Sequence, residues 1–258
     1  MPRIDLAIDK DWAWGGADGA GITVAVVDSG VDTTHPAVGP VDRAVALRWD
    51  AESEEVLSTE GPHEDLFGHG TACAGIIRRA APRAALWSVR VLGSRLTGKG
   101  VVFAAGLRWA IAQGARVVNL SLSTGRNDYF GLFHQIADEA AFANAVLVCA
   151  SNNMPAPTYP AQFSSVISVA AHDGQDPFGL DANPAPPVDF GAPGIDIEVP
   201  WLSGSTMVAT GNSFAAPHVT GLVARLLSKH PRLRPYEVKT VLRAVASNAV
   251  VRGDSDDV

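Results

Sequence analysis

A chain of 258 residues that is 47% hydrophobic buries enough apolar surface to fold without disulfide or metal staples. Its 20 Lys and Arg against 27 Asp and Glu leave a net charge of −7, which speaks against the basic face of a nucleic-acid binder. No apolar run approaches the ~18 residues of a membrane span, so no membrane partner is expected.

The start, MPRIDLAIDKDW, is charged and lacks the apolar core of a secretory signal. The two cysteines, Cys73 and Cys149, form no metal-ligand spacing and are too few for a disulfide framework. Free thiols point to a reducing, cytoplasmic setting, with a trimmed secreted chain as the alternative.

In chain order, apolar β-branched runs alternate with helical patterns. Predicted strands lie at 21–28, 85–92, 116–122, 145–151 and 166–171. Helical patterns lie near 69–79, 101–113, 129–143, 213–229 and, after Pro235, 236–247. Continuous apolar strands separated by helices predict an α/β fold with a mostly parallel central sheet and helices on both faces. One domain is expected over 1–250, with 251–258 (VRGDSDDV) a polar, frayed tail.

In such a sheet, ligands bind beyond the carboxyl ends of the strands. Asp28 closes the first strand, His69 opens a helix between two glycines, and Asn152 follows the fourth strand. Each has an ordinary reading. The Asp caps a turn or resembles the phosphate acceptor of a receiver domain, the His packs in the core or sits on the surface, and the Asn serves a turn. Ser213, in G-N-S-F-A-A-P-H, is either a helix cap or a nucleophile facing a helix N-terminus, with Pro217 tolerated in the first turn. Together, the four residues supply a nucleophile, a base, a carboxylate to orient the base and an amide for an oxyanion. Their order is Asp, His, Ser, and G-N-S-F-A lacks the closing glycine of a G-x-S-x-G elbow.

The segments V-V-D-S-G-V-D (26–32), G-H-G-T-A-C-A-G (68–75) and G-N-S-F-A-A-P-H-V-T-G (211–221) resemble the three signature blocks of the subtilisin-like serine proteases, or subtilases. The likeness runs from Ile22 to about Val245 and takes in N-L-S-L (119–122) and Y-P-A (159–161). It implies a three-layer fold and an endopeptidase working through an acyl-enzyme on a peptide or protein. In it Ser213 is the nucleophile, His69 the base and Asp28 its partner, while Asn152 and the Ser213 N–H hold the oxyanion. The resemblance also places the substrate as an added strand between Leu96-Thr97-Gly98 and Ser121-Leu122-Ser123. The pocket for the residue before the cut would be lined by Ser121-Leu122-Ser123 and Cys149-Ala150-Ser151, with Thr158 at its base.

Departures from the family pattern shape further expectations. Ser151 and Thr158 stand where glycine is frequent, implying a shallower, more polar pocket that takes a small or polar side chain. Gly100 replaces a bulky residue, implying an open distal pocket. The calcium loop after the histidine block is missing, and Ala37 stands where that site has a carboxylate, so neither calcium nor another cofactor is expected there. The chain starts almost at the mature domain, without an inhibitory propeptide, which suggests narrow specificity and the processing of a precursor or leader peptide. The seven acidic residues of 49–65 read as a solvated loop or a surface for basic substrate segments. Cys73, one turn after His69, reads as a packed small hydrophobe, and His218 as structural. The rival reading is a subtilase-fold module that binds peptides without cutting them. Oligomeric state stays open.

Overall fold

A computed structural model describes residues 8–183 and 185–249. The tail expected at 251–258 lies outside them. The elements are α1 (Lys10–Trp14), β1 (Thr23–Asp28), β2 (Arg43–Asp50), β3 (Glu55–Glu60), α2 (His69–Ala80), β4 (Ala85–Arg90), α3 (Gly100–Ala112), β5 (Val117–Leu120) and α4 (Phe130–Phe142). They continue as β6 (Val146–Ala150), β7 (Ile167–His172), β8 (Asp181–Ala182), β9 (Phe190–Pro193), β10 (Ile197–Pro200), β11 (Thr206–Ala209), α5 (Asn212–Lys229) and α6 (Pro235–Ala244). All five predicted strands and all five predicted helices are present.

Nine strands form one sheet in the order β3-β2-β4-β1-β5-β6-β7-β9-β8. Every pairing from β2 to β9 is parallel, and β3 and β8 add an antiparallel strand at each edge. Strand alternation divides two cores. Val24, Val26, Leu86, Val117 and Val148 face α2, α5 and α6, whereas Ala25, Val27, Val89, Val118 and Leu147 face α3 and α4. Both faces are covered, which is why these strands read as unbroken apolar runs.

α5 packs on β5, β6, β7 and β9 beside α2, and is buried almost all round. Leu222, Leu226 and Leu227 are each fully buried there, worth roughly 1.5–3 kcal/mol apiece. α6 begins where the sequence signals it, with Pro235 at its first position and Glu237 accepting from the Arg234 N–H at 2.7 Å.

Two regions differ from the sequence reading. Residues 49–65 are not simply a solvated loop, because β2 and β3 form a hairpin in register from Val45–Glu60 to Asp50–Glu55. Val45 and Leu47 enter the core while Glu55 and Glu60 stay exposed on the outer edge strand, where charge deters edge-to-edge pairing. The two-stranded ribbon β10–β11 is also new. It packs Ile197, Val199 and Ala209 against Ala72 and Ile76 of α2 and against Phe214.

Candidate active site

β1 is an inner strand of the sheet with β4 and β5 on either side, and its carboxyl end lies on the rim where α/β sheets place their ligands. Asp28 ends that strand and is fully buried. Both its carboxylate oxygens meet His69 Nδ1, at 2.8 and 2.9 Å, and the Ser29 N–H donates to Oδ1 at 2.8 Å. His69 is the first residue of α2 and is 5% exposed. Gly70 makes this approach possible, since a Cβ there would lie 2.0 Å from the Gly30 carbonyl oxygen. Burial alone would lower the His69 pKa, but the charge of Asp28 and its hydrogen bond outweigh burial and raise it.

Asp65 holds this corner together. It is 7% exposed, and its Oδ1 accepts from Ser29 Oγ (2.7 Å), Phe67 N (3.0 Å) and Gly68 N (2.9 Å). Its Oδ2 accepts from Thr71 N (2.9 Å) and Thr71 Oγ1 (2.6 Å). The carboxylate therefore does the work of a cap for α2, whose N-cap residue, Gly68, has no side chain.

Ser213 is the second residue of α5. Pro217 lies in the interior of that helix rather than in its first turn, and has no N–H for the carbonyl four residues earlier. That carbonyl belongs to Ser213, and it accepts instead from Ser121 Oγ at 2.7 Å. Ser121 Oγ accepts in turn from Asn119 Nδ2 (3.1 Å), and Asn119 Oδ1 accepts from Thr220 Oγ1 (2.9 Å). A buried polar chain thus ties α5 to the end of β5. The Ser213 hydroxyl donates to the Ser121 carbonyl at 3.2 Å, and no hydrogen bond joins it to His69. The Phe214 ring tilts against His69 at 5.3 Å between centroids.

Asn152 follows β6, as expected, but its side chain folds into its own loop. Nδ2 donates to the Ala156 carbonyl at 3.3 Å and Oδ1 accepts from Met154 N at 3.2 Å. Ser151 and Thr158 line one cavity of about 320 Å³ with Asn152 and Met154. Ser121, Leu122, Ser123, Cys149 and Ala150 stand beside it rather than in its wall, with the Cys149 thiol 3.6 Å from the Leu122 carbonyl.

The other expected substrate edge, Leu96-Thr97-Gly98, opens with a turn. Leu96 has a left-handed φ of 54°, its N–H donates to the Gly93 carbonyl, and the Thr97 carbonyl accepts from Gly93 N at 3.0 Å. Leu96-Thr97 is therefore part of a tight turn closed on Gly93. The open distal pocket is likewise absent at Gly100, because the Tyr129 ring lies 2.6 Å from where a Cβ would stand. The glycine makes room for a neighbour, not for a ligand.

The chain matches the subtilase family over residues 19–257. It is 34% identical over 234 residues to thermitase of Thermoactinomyces vulgaris, covering 86% of this chain and 80% of that protein. This chain is a subtilase. Subtilisin E of Bacillus subtilis is 30% identical over 249 residues, 90% of this chain and 62% of that one. A solved cold-adapted subtilisin-like serine proteinase superposes with a TM-score of 0.70 at 28% identity, covering 87% of this chain and 82% of the other. The family makes the protein a serine protease, a hydrolase acting on peptide bonds.

Among the described residues, Asp28, His69 and Cys73 of this subtilase form the one group with metal-ligand atoms within 4.8 Å of one another. Burial and the Asp28 charge push the Cys73 thiol well above its ordinary pKa, so it stays protonated. Its Sγ packs 3.3 Å from Ser121 Oγ and 3.6 Å from the Ser213 carbonyl. His218 is 4% exposed, and burial pushes its pKa down to about 4, which leaves it neutral and structural.

Asp65, Asn119, Thr220 and Asn212 went unnoticed in sequence. All four lie in segments singled out there, Asp65 in 49–65, Asn119 in N-L-S-L, and Asn212 and Thr220 in 211–221, but none was given a role. Asp65 had a weak signal, a carboxylate four residues ahead of a helix-opening histidine with no other cap.

The raised His69 pKa has a checkable consequence. A base must be neutral to accept a proton, so kcat/KM rises with pH along an acidic limb whose midpoint lies above the ordinary 6.5. The stability sign is opposite: the charged pair with Asp28 stabilises the fold fully below 6.5 and loses that contribution as pH rises through the folded pKa. A pH–rate profile with its acidic midpoint below 6.5 would contradict this geometry.

Proposed function

We propose that this subtilase is an endopeptidase in which Ser213 attacks the scissile carbonyl carbon while His69 Nε2 takes the hydroxyl proton. Asp28 holds the Nδ1–H and stabilises the imidazolium that forms. His69 then gives the proton to the departing amine nitrogen, leaving an ester on Ser213. Water repeats the sequence in reverse. The Ser213 N–H and the Asn152 amide receive the oxyanion. The observation that carries this reading is the buried two-oxygen contact between Asp28 and His69 Nδ1, which fixes the tautomer with Nε2 free.

Two side chains must turn for this chemistry, Ser213 Oγ away from the Ser121 carbonyl and Asn152 Nδ2 away from Ala156. Those resting contacts favour a second reading, a gated site that binds a peptide before it can cut.

For the residue before the cut, Ser151 and Thr158 in one small cavity support a small or polar side chain. Such narrowness suits the processing of a particular precursor or leader peptide, in the cytoplasm and without calcium. A peptide library randomised at that position, read by mass spectrometry, gives Ala, Ser or Thr as the preferred residues. Preference for large aromatics would overturn the pocket assignment.

A further inference from the structure

Asn212 precedes the nucleophile and makes more polar contacts than any cap requires. Its N–H donates to Asn153 Oδ1 at 3.0 Å, and its Oδ1 accepts from Ala171 N, near the end of β7, at 2.8 Å. Its Nδ2 reaches Ser151 Oγ (2.9 Å), the Asn152 carbonyl (3.1 Å) and the Ser151 carbonyl (3.2 Å). One side chain thus joins the start of α5, the end of β7 and the loop that leaves β6.

That loop has little else to hold it. Residues 153–157 are all exposed. Ser151 still pairs with β7 through its N–H to the Val169 carbonyl at 2.8 Å, but past it, among the described residues, the main chain of Asn152 is gripped by Asn212 alone. Asn152 is the residue whose amide must reach the oxyanion, and Ser213 N–H is the other donor. The clamp therefore sets the spacing between the two donors through a single residue adjacent to one of them.

We infer that Asn212 is a positioning residue for the oxyanion site. It fixes the main chain of Asn152 relative to Ser213, so that the Asn152 side chain can swing from Ala156 to the oxyanion while its backbone stays in place. This rests on the acyl-enzyme reading above. A misplacement of about 1 Å at such a donor costs up to about 10²-fold in rate.

The test is a double-mutant cycle between Asn212→Ala and Asn152→Ala, with kcat and KM measured on one cleaved peptide and thermal melts run on every variant. Asn152→Ala lowers kcat by about 10²–10³-fold. Asn212→Ala lowers kcat by about 10–100-fold with KM within about threefold, and the double variant falls no lower than Asn152→Ala alone. Losses that multiply, a loss carried by KM, or an unchanged kcat would overturn the inference. If Asn212→Ala does not fold, Asn212→Asp decides the same question. It keeps the acceptor for Ala171 N but turns an oxygen toward the Ser151 and Asn152 carbonyls, and it must cost kcat at least as much. Wild-type activity is read first: an inactive wild type overturns the protease reading itself, whereas multiplying losses in an active enzyme overturn the clamp alone.

Discussion

Ser213→Ala lowers kcat by about 10⁶-fold and leaves KM nearly unchanged. The size follows from the lack of any substitute nucleophile at this site. The Ser121 hydroxyl is 6% exposed and committed to the Ser213 carbonyl, and the Cys73 thiol is fully buried and protonated. Neither can take over. A residual rate of about 10³–10⁴ over water remains, supplied by the oxyanion donors and by substrate positioning. The fold survives the change, because Ser213 is bound to Ser121 largely through its main-chain carbonyl, which alanine keeps. Progress curves on a cleaved peptide give the number, and a loss below about tenfold would remove Ser213 from the chemistry.

Asp28→Asn lowers kcat by about 10⁴-fold, although it deletes no heavy atom beyond the exchange of O for N. The amide NH₂ would face His69 Nδ1 and donate to it, forcing the ring proton onto Nε2. A histidine in that tautomer cannot accept the serine proton. The other amide position, its oxygen, can still receive the Ser29 N–H, so the strand end keeps its shape. The pH profile distinguishes this from misfolding. Without the carboxylate, the acidic limb moves below its wild-type position, because the charge that outweighed burial at His69 is gone. An Asp28→Asn enzyme with wild-type kcat would show that His69 finds its tautomer elsewhere.

Asp28, His69 and Ser213 were legible because each sits where one backbone period gives way to another. Such sites fall at strand ends or helix starts, and the sheet gathers them at one rim. The parallel core was legible for the same reason, as strands buried on both faces leave no polar alternation to confuse the pattern. Asp65 was hidden by its neighbours, one carboxylate among the seven acidic residues of 49–65 and distinguished only when Ser29, 36 positions away, and Thr71, across the start of α2, come to it. Asn212 was given no role although it stands beside Ser213, because nothing local marks it. Its partners, Ala171 and Ser151, are 41 and 61 positions away. The turn that opens the expected substrate edge at 96–98 rests on a local feature, the left-handed backbone of Leu96, for which a leucine gives no warning. Gly100 shows the complementary error: a missing side chain looked like an open pocket until Tyr129 filled it.

The measurement that bears most directly on the account is intact mass after exposure to a fluorophosphonate, on the wild type and on Ser213→Ala. The account predicts a single covalent adduct on the wild type and none on the variant, since Ser213 alone is both nucleophilic and served by His69. No adduct on folded wild type, or an adduct that persists in Ser213→Ala, would contradict it.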